Sequence, residues 1–208
     1  MRSTALWRAA VASLTVGAAI AAAGCSSPPT TIVDAGIEDA TVNEPVTVDG
    51  AQCSAVIASH TDEGAQHIAC TTPATYLTTP PSSGNHFPRW PNAGTYDAAI
   101  PWGNLVHFME HGGVVIAYNC GAAGCTDELA RAQAFVAGIA DAACTPARVI
   151  MMPDPTLDVR WAAAAWTWTL RAECFDDVAF TQFVADHLGH GLEAVCGGYA
   201  VNDLCPPI

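Results

Sequence analysis

The cysteines constrain this chain most. Nine occur in 208 residues, and one of them, Cys25, closes what reads as an export signal. Arg2 and Arg8 give a positive start, Ala9 to Ala23 is apolar, Ala-rich and uncharged, and Ala22-Ala23-Gly24 puts small residues directly before Cys25. So short a run is a signal core and not a spanning helix, which needs roughly 20 apolar residues. Small residues let a peptidase approach the backbone, and Cys25 is then the nucleophile that takes a lipid. Ala22 stands where such motifs usually carry Leu, and an ordinary signal peptide cut near Ala23 is the alternative. With Cys25 set aside as the anchor, Cys53, Cys70, Cys120, Cys125, Cys144, Cys174, Cys196 and Cys205 remain. An even set in an exported chain reads as a disulfide framework, although eight cysteines allow 105 pairings. Cys120 with Cys125 and Cys196 with Cys205 are the nearest neighbours and the expected local staples. A thiolate metal site would need a Cys-x2-Cys pair and thiols kept reduced outside the cytoplasm, and neither condition is met.

The rest of the composition divides the chain. Residues 1–24 are the expected lipoprotein-type signal and residues 25–51 a disordered tether, rich in Pro, Thr, Ser, Asp and Glu and nearly free of large apolar side chains. Such a segment cannot bury enough surface to offset its ordering entropy. Residues 52–208 then suit a single domain with one core. No other segment is long and apolar enough to span a bilayer. Seven Arg and no Lys stand against 20 acidic residues, and two of the Arg lie in the signal. A surface so acidic is repelled by nucleic acid and by anionic headgroups, so the expected contact with the membrane is through the lipid alone. The expected location is the cell envelope, with Ser26 rather than Asp after Cys25 pointing to the outer membrane over the inner. Any protein or small-molecule partner is left open.

Within the domain, residues 52–105 look loop-dominated, with turn formers dense over Thr79–Asn85 and Pro88–Gly94. Regular structure follows. Gly113–Tyr118 reads as a buried strand, Thr126 to about Ala142 as a helix with Leu129, Ala132, Phe135, Val136 and Ile139 on one stripe, and Arg148–Met152 as a second strand ended by Pro153. Trp161–Ala172 reads as a third strand, since Trp166, Trp168 and Leu170 alternate with polar residues, and Asp176–Leu188 as the last helix. The first two strands, joined through a helix, should be parallel. The second and third should be antiparallel through Asp154–Asp158. The expected fold is α+β: a small antiparallel or mixed sheet with helices packed on it. It has a strand-helix-strand-strand-helix core, ferredoxin-like or thioredoxin-like, preceded by a loop-rich, histidine-bearing segment. No Cys-x-x-Cys stands where a thioredoxin-type redox centre would need it, and the tryptophans read as packing residues rather than a ligand cage.

Histidines supply the only concentrated chemistry. Of seven, His67, His86, His107 and His111 bracket the loop region and the entry to the first strand. His107-Phe108-Met109-Glu110-His111 is the densest piece. Two histidines four apart share a helix face about 6 Å apart, whereas in a strand they would be roughly 13 Å apart. Asn104 as a cap and Gly112 as a stop favour the helical turn. His187 and His190 fall at a helix end, where a cation complements the dipole, and His60 reads as a surface residue.

Pro80-Pro81-Ser82-Ser83-Gly84-Asn85-His86, then Trp90, Gly94 and Tyr96, then Val106-His107-Phe108-Met109-Glu110-His111-Gly112 and the apolar run to Tyr118 resemble a bacterial family called domain of unknown function 3105. Its pattern looks like PP-T/S-S-G-x-H, a Trp, G-x-Y and H-x-L-E-H-G before a strand. Glu63-Gly64-Ala65-Gln66-His67-Ile68 is similar, more loosely, to that family's E-G-x-x-H-V stretch. The resemblance spans about residues 62–190; Met109 replaces the usual Leu, and the added cysteines suggest a disulfide-reinforced branch. It implies a shared fold and site location and no reaction.

Three readings of the cluster stay open. In the first, His67, His86, His107 and His111 hold a transition metal, zinc or copper, with Met109 or Glu110 nearby; imidazoles suit such ions, and no carboxylate cluster for Ca or Mg is present. In the second, the Pro-rich, Trp-bearing loops form a metal-free binding surface and the histidines merely hold them to the sheet. The third takes His107-x-x-Glu110-His111 as the H-x-x-E-H pattern of zinc hydrolases, with Glu110 catalytic; Gly112-Gly113 cuts that helix short. No G-x-S-x-G elbow and no phosphate-binding glycine loop accompany them.

Overall fold

The structure is a computed structural model that describes residues 45–207. Cys25, the expected signal and most of the expected tether lie outside the described residues. Among the described residues, no helix is long and apolar enough to cross a membrane.

Seven strands among the described residues form one mixed sheet: β1 (Val46–Thr47), β2 (Ala55–Ser59), β3 (Gly94–Thr95), β4 (Val114–Tyr118), β5 (Val149–Pro153), β6 (Trp161–Ala165) and β7 (Trp168–Ala172). They lie in the order β1-β2-β7-β6-β4-β5-β3. β4 and β3 both run parallel to β5, and every other pairing is antiparallel. Three α-helices, α1 (Trp102–Glu110), α2 (Thr126–Gly138) and α3 (Asp177–His187), and a 3-10 turn at Val201–Asp203 complete the fold among the described residues.

The two-residue period of the central strands builds two cores from one sheet. Val114, Ile116, Val149, Met151, Trp161 and Ala163 face one way, against Ala132 of α2 and Phe180 and Phe183 of α3. Val115, Ala117, Ile150, Met152, Ala162 and Ala164 face the other, against Leu105, Val106, Phe108 and Met109 of α1. A sheet covered on both faces explains why its central strands are apolar throughout rather than alternating. The alanines of β6 leave room for large neighbours on either side.

The α+β class and the β4-α2-β5 crossover with parallel strands match expectation. Asp176 caps α3 as its side chain accepts from the Ala179 amide at 2.9 Å. Several details differ. The expected third strand is a hairpin, β6 and β7, turning at Trp166-Thr167. Neither residue is a turn former, and Thr167 takes φ 61°, unusual for a β-branched residue. Bonds from the Thr167 amide to the Ser82 carbonyl (2.9 Å) and from the His60 amide to the Thr167 carbonyl (2.8 Å) hold it there. β6 does not pair with β5 but enters on the far side of β4. The connection after β5 crosses the end of β4, where the Asp154 amide donates to the Tyr118 carbonyl and the Asn119 amide to the Arg160 carbonyl. β1 to β3 lie in stretches expected to be loop or tether; Val46 and Thr47 pair with β2, and Val48 is buried. Order therefore reaches back before residue 52.

Four disulfides join Cys53–Cys174, Cys70–Cys205, Cys120–Cys125 and Cys144–Cys196. The short Cys120–Cys125 staple is as expected. The expected Cys196–Cys205 staple is not formed, because each partner reaches across the fold instead. Four bridges point to an oxidising, extracytoplasmic setting. His187 also departs from its expected role. It is buried against the Trp168 ring (centroids 4.5 Å apart), and burial holds its pKa below the ordinary value, so it is no helix-end cation. His60 is half-buried, its Nε2 2.7 Å from Thr169 Oγ1.

Candidate metal centre

α1 is short and almost wholly buried, so its polar residues are held inside the fold rather than at its surface. It follows Pro101, with no side-chain cap. Asn104, expected as that cap, lies within the helix and binds the carbonyl of Cys205 through Nδ2 at 2.9 Å. The other end is as expected. Gly112 takes φ 81°, its amide bonds the Met109 carbonyl at 2.9 Å, and the Gly113 amide bonds that of Phe108 at 3.1 Å. This is a Schellman closure with His111 at the cap.

Two loop segments lie against this helix. The Phe87 amide bonds the Gly103 carbonyl at 2.9 Å, a close approach that needs glycine, since a Cβ at 103 would stand 2.6 Å from the Phe87 ring. A strand-like stretch before it pairs in parallel with the segment bearing His67. The Gly84 amide bonds the Gly64 carbonyl, the His86 amide that of Gln66, and the Ile68 amide that of His86. Three elements distant in sequence thereby bring His67, His86, His107 and Glu110 together.

Ring centroids lie 5.1 Å apart for His67–His86, 4.6 Å for His67–His107 and 4.7 Å for His86–His107. One donor atom from each of His67, His86, His107 and Glu110 falls within 4.8 Å of the others. A tetrahedral zinc site with bonds of 2.0–2.1 Å has donors about 3.3 Å apart. Glu110 Oε2 stands 3.1 Å from His86 Nε2 and 3.9 Å from His107 Nε2, close to that spacing.

Backbone carbonyls fix which ring nitrogens face inward. His86 Nδ1 is 2.8 Å from the Gly84 carbonyl and His107 Nδ1 2.6 Å from the Phe87 carbonyl. A carbonyl only accepts, so each Nδ1 carries the proton and each Nε2 the lone pair, an arrangement usual for metal-bound histidine. His86 Nε2 is buried and makes no hydrogen bond, its approach to Glu110 notwithstanding. Burial lowers the pKa of His86 and brings His107 down to about 3, the carbonyl bonds opposing and the neighbouring imidazoles adding to the effect. Both rings are neutral donors. Burial, then the charges of Glu193 and Asp62, raise Glu110 to about 7. Such a donor set, three imidazoles and a carboxylate without sulfur, fits a borderline divalent ion.

His111 is not brought into this group. It sits at the cap where α1 stops, and its Nε2 lies 3.3 Å from Glu193 Oε2 on the segment after α3. Glu110, one residue earlier and on the face of His107, takes the fourth place. Met109, the other expected neighbour, is fully buried in the core. The His111 ring still packs 4.7 Å from that of His107 between centroids, and its buried Nδ1 makes no hydrogen bond, but the donor atoms that converge with His107 are those of His67, His86 and Glu110. Nothing in the local sequence points to the segment carrying Glu193. It is strapped to α1 by bonds from the Gly189 amide to the Gly112 carbonyl (2.8 Å) and from the Glu193 amide to the Glu110 carbonyl (2.9 Å). Trp90 walls the site, 4.6 Å from His107 and 4.3 Å from His111 between centroids, and Trp166 presents its ring edge-on to His86.

The family described as "Protein of unknown function (DUF3105)" matches residues 67–197, more than half of the chain. The chain belongs to this family. The DUF3105 span opens at His67 and takes in all four clustered residues as well as His111 and Glu193. No curated protein and no solved structure matches the chain. DUF3105 membership carries no activity with it, so the chemistry rests on the residues.

Proposed function

We propose that this protein is a metal-binding protein of the cell envelope, holding one transition metal ion through His67, His86, His107 and Glu110. The observation that carries the reading is the buried, unpartnered Nε2 of His86 3.1 Å from a Glu110 carboxylate oxygen. A buried polar atom left without a partner is costly unless something else satisfies it. Three imidazoles and a carboxylate suit Zn²⁺ first and Cu²⁺ second; Cu⁺ would favour thiolate or thioether donors, and the converging group contains neither. Convergence of the rings favours this reading over a metal-free binding surface, for which the histidines need not meet.

The setting follows the same reading. A lipid on Cys25 ties the domain to the membrane, the outer one rather than the inner, and that lipid is its sole contact with the bilayer. Nucleic acid is no partner for so acidic a chain. The core arrangement is thioredoxin-like rather than ferredoxin-like, because a ferredoxin-like β-α-β-β-α-β unit ends in a strand, and α3 is followed among the described residues by no further strand of the sheet.

Elemental analysis of the protein purified with its disulfides formed tests the central point. About one zinc or copper per chain is expected, as for a single four-donor site. Absence of Zn, Cu, Fe and Ni, with no thermal shift on adding any of them, overturns it.

A further inference from the structure

The four residues are not held alike. His86 and His107 are buried, and each has its Nδ1 pinned by a backbone carbonyl, at 2.8 Å and 2.6 Å. Glu110 is buried on the last turn of a helix whose end is locked by Gly112 and strapped by the Glu193 amide. His67 differs on both counts. It is exposed, and no hydrogen bond fixes its ring among the described residues. What orients it is stacking on His107 at 4.6 Å and 29°, with an edge contact to His86. Its backbone, in contrast, is fixed between the Gln66 and Ile68 bonds to His86. Rotation of its side chain therefore needs no movement of the chain.

We infer that His67 is the exchangeable ligand of this site, yielding its place to a small nitrogen or oxygen donor from solvent while His86, His107 and Glu110 keep the ion. The inference rests on the metal reading above and adds a function to it, since a site that opens at one corner takes an external ligand whereas a closed four-donor site does not. The entering group is a small monodentate Lewis base such as an imidazole or an azide-sized anion. Trp90 and the buried rings leave the His67 corner as the solvent-facing one. On exchange one ring nitrogen of His67 leaves as the entering donor binds, so ligand number and oxidation state are unchanged. Carbonyl-fixed imidazoles are preorganised and lose little freedom on binding an ion, whereas an unfixed exposed ring must be ordered each time.

Cobalt(II) serves as the probe, because its visible bands report coordination directly. The wild-type protein loaded with Co²⁺ is titrated with imidazole and with azide, alongside His67→Ala and His107→Ala. Both donors are expected to shift the wild-type bands. His67→Ala should keep cobalt within about tenfold of wild-type affinity and bind imidazole at least about tenfold more tightly, while His107→Ala loses cobalt by about 100-fold or more. If His67→Ala loses cobalt as severely as His107→Ala while retaining its circular dichroism, or if neither donor shifts the bands of either protein, His67 is an ordinary fixed ligand and the inference fails. A wild-type protein that takes up no cobalt overturns the metal reading and this inference together.

Discussion

His86 Nε2 and Glu110 Oε2 face one another 3.1 Å apart in the interior and share no hydrogen bond. The proton of His86 is committed to the Gly84 carbonyl through Nδ1, so Nε2 offers a lone pair. An ionised carboxylate also offers only lone pairs. Two such atoms repel across that gap unless a positive charge lies between them. A metal ion supplies one. So does a proton on Glu110, and the two compete.

That competition sets a pH dependence. Glu110 is raised to about 7 and His107 lowered to about 3. Metal affinity should fall about tenfold per pH unit below about 7 as Glu110 takes up its proton, and level off above it, with no second loss from His107 until far lower pH. In the metal-free protein the sign for stability is the reverse of the usual carboxylate case. Between the ordinary value of 4.5 and about 7 the folded state binds more protons than the unfolded one. Glu110 by itself therefore contributes stability that is lost as pH rises through that window. His86 and His107, held below the ordinary 6.5, contribute in the opposite sense, so the Glu110 contribution is read as the difference between wild type and Glu110→Gln. Added zinc should abolish that difference in pH dependence. Urea titrations at pH 5 and 8, with and without zinc, measure both effects.

His111 and His107 should respond differently to truncation although four residues separate them. His107→Ala removes a donor and should weaken zinc binding by about 100-fold or more, whereas His111→Ala should change it by less than about threefold. Competition against a chromophoric chelator reads both. Equal losses would restore His111 to the site.

Gly191 is expected to be irreplaceable in the strap beside the site. A Cβ there would stand 2.2 Å from the Glu110 carbonyl oxygen and 2.3 Å from the Gly112 amide. Gly191→Ala should cost about 1–3 kcal/mol, which for a domain of this size lowers Tm by roughly 2–4 °C per kcal/mol. It should also speed metal release, since the displaced backbone is that of Glu110. Calorimetry and a chelator chase separate the two.

Arg148 joins Asp141 through Nε at 2.7 Å and the His111 carbonyl through Nη1 at 2.7 Å, with both side chains buried. Arg148→Met should destabilise by about 3–5 kcal/mol, because Asp141 is left charged and unpaired. The hydrogen bond from Arg148 holds Asp141 down to about 2. Its contribution is present above the ordinary 3.8 and lost as pH falls through about 2. The variant's deficit at pH 7 should accordingly shrink in acid, as denaturant midpoints will show.

How much of this was legible in the sequence depended on the range of the interaction. Strand β4, helices α2 and α3 and the stop at Gly112 follow from local period and capping. The hairpin at Trp166-Thr167 was hidden because its turn carries no Gly, Asn or Asp and is held by Ser82 and His60, far away in sequence. β2 was hidden because its pairing to β7 supplies what its own five residues do not. The same holds in the site. His67, His86 and His107 stood out by residue type and motif. The choice of Glu110 over His111 turned on where α1 ends and on Glu193, which the strap delivers from the far side of the sheet. Disulfide partners such as Cys70 and Cys205 were undecidable from spacing for the same reason.

The most direct test is X-ray absorption at the zinc edge of the metal-loaded protein. Three imidazole nitrogens at about 2.0–2.1 Å and one carboxylate oxygen at about 2.0–2.2 Å are expected, with no sulfur. A sulfur shell near 2.3 Å, four imidazoles, or a shell of water oxygens alone would contradict a centre built from His67, His86, His107 and Glu110.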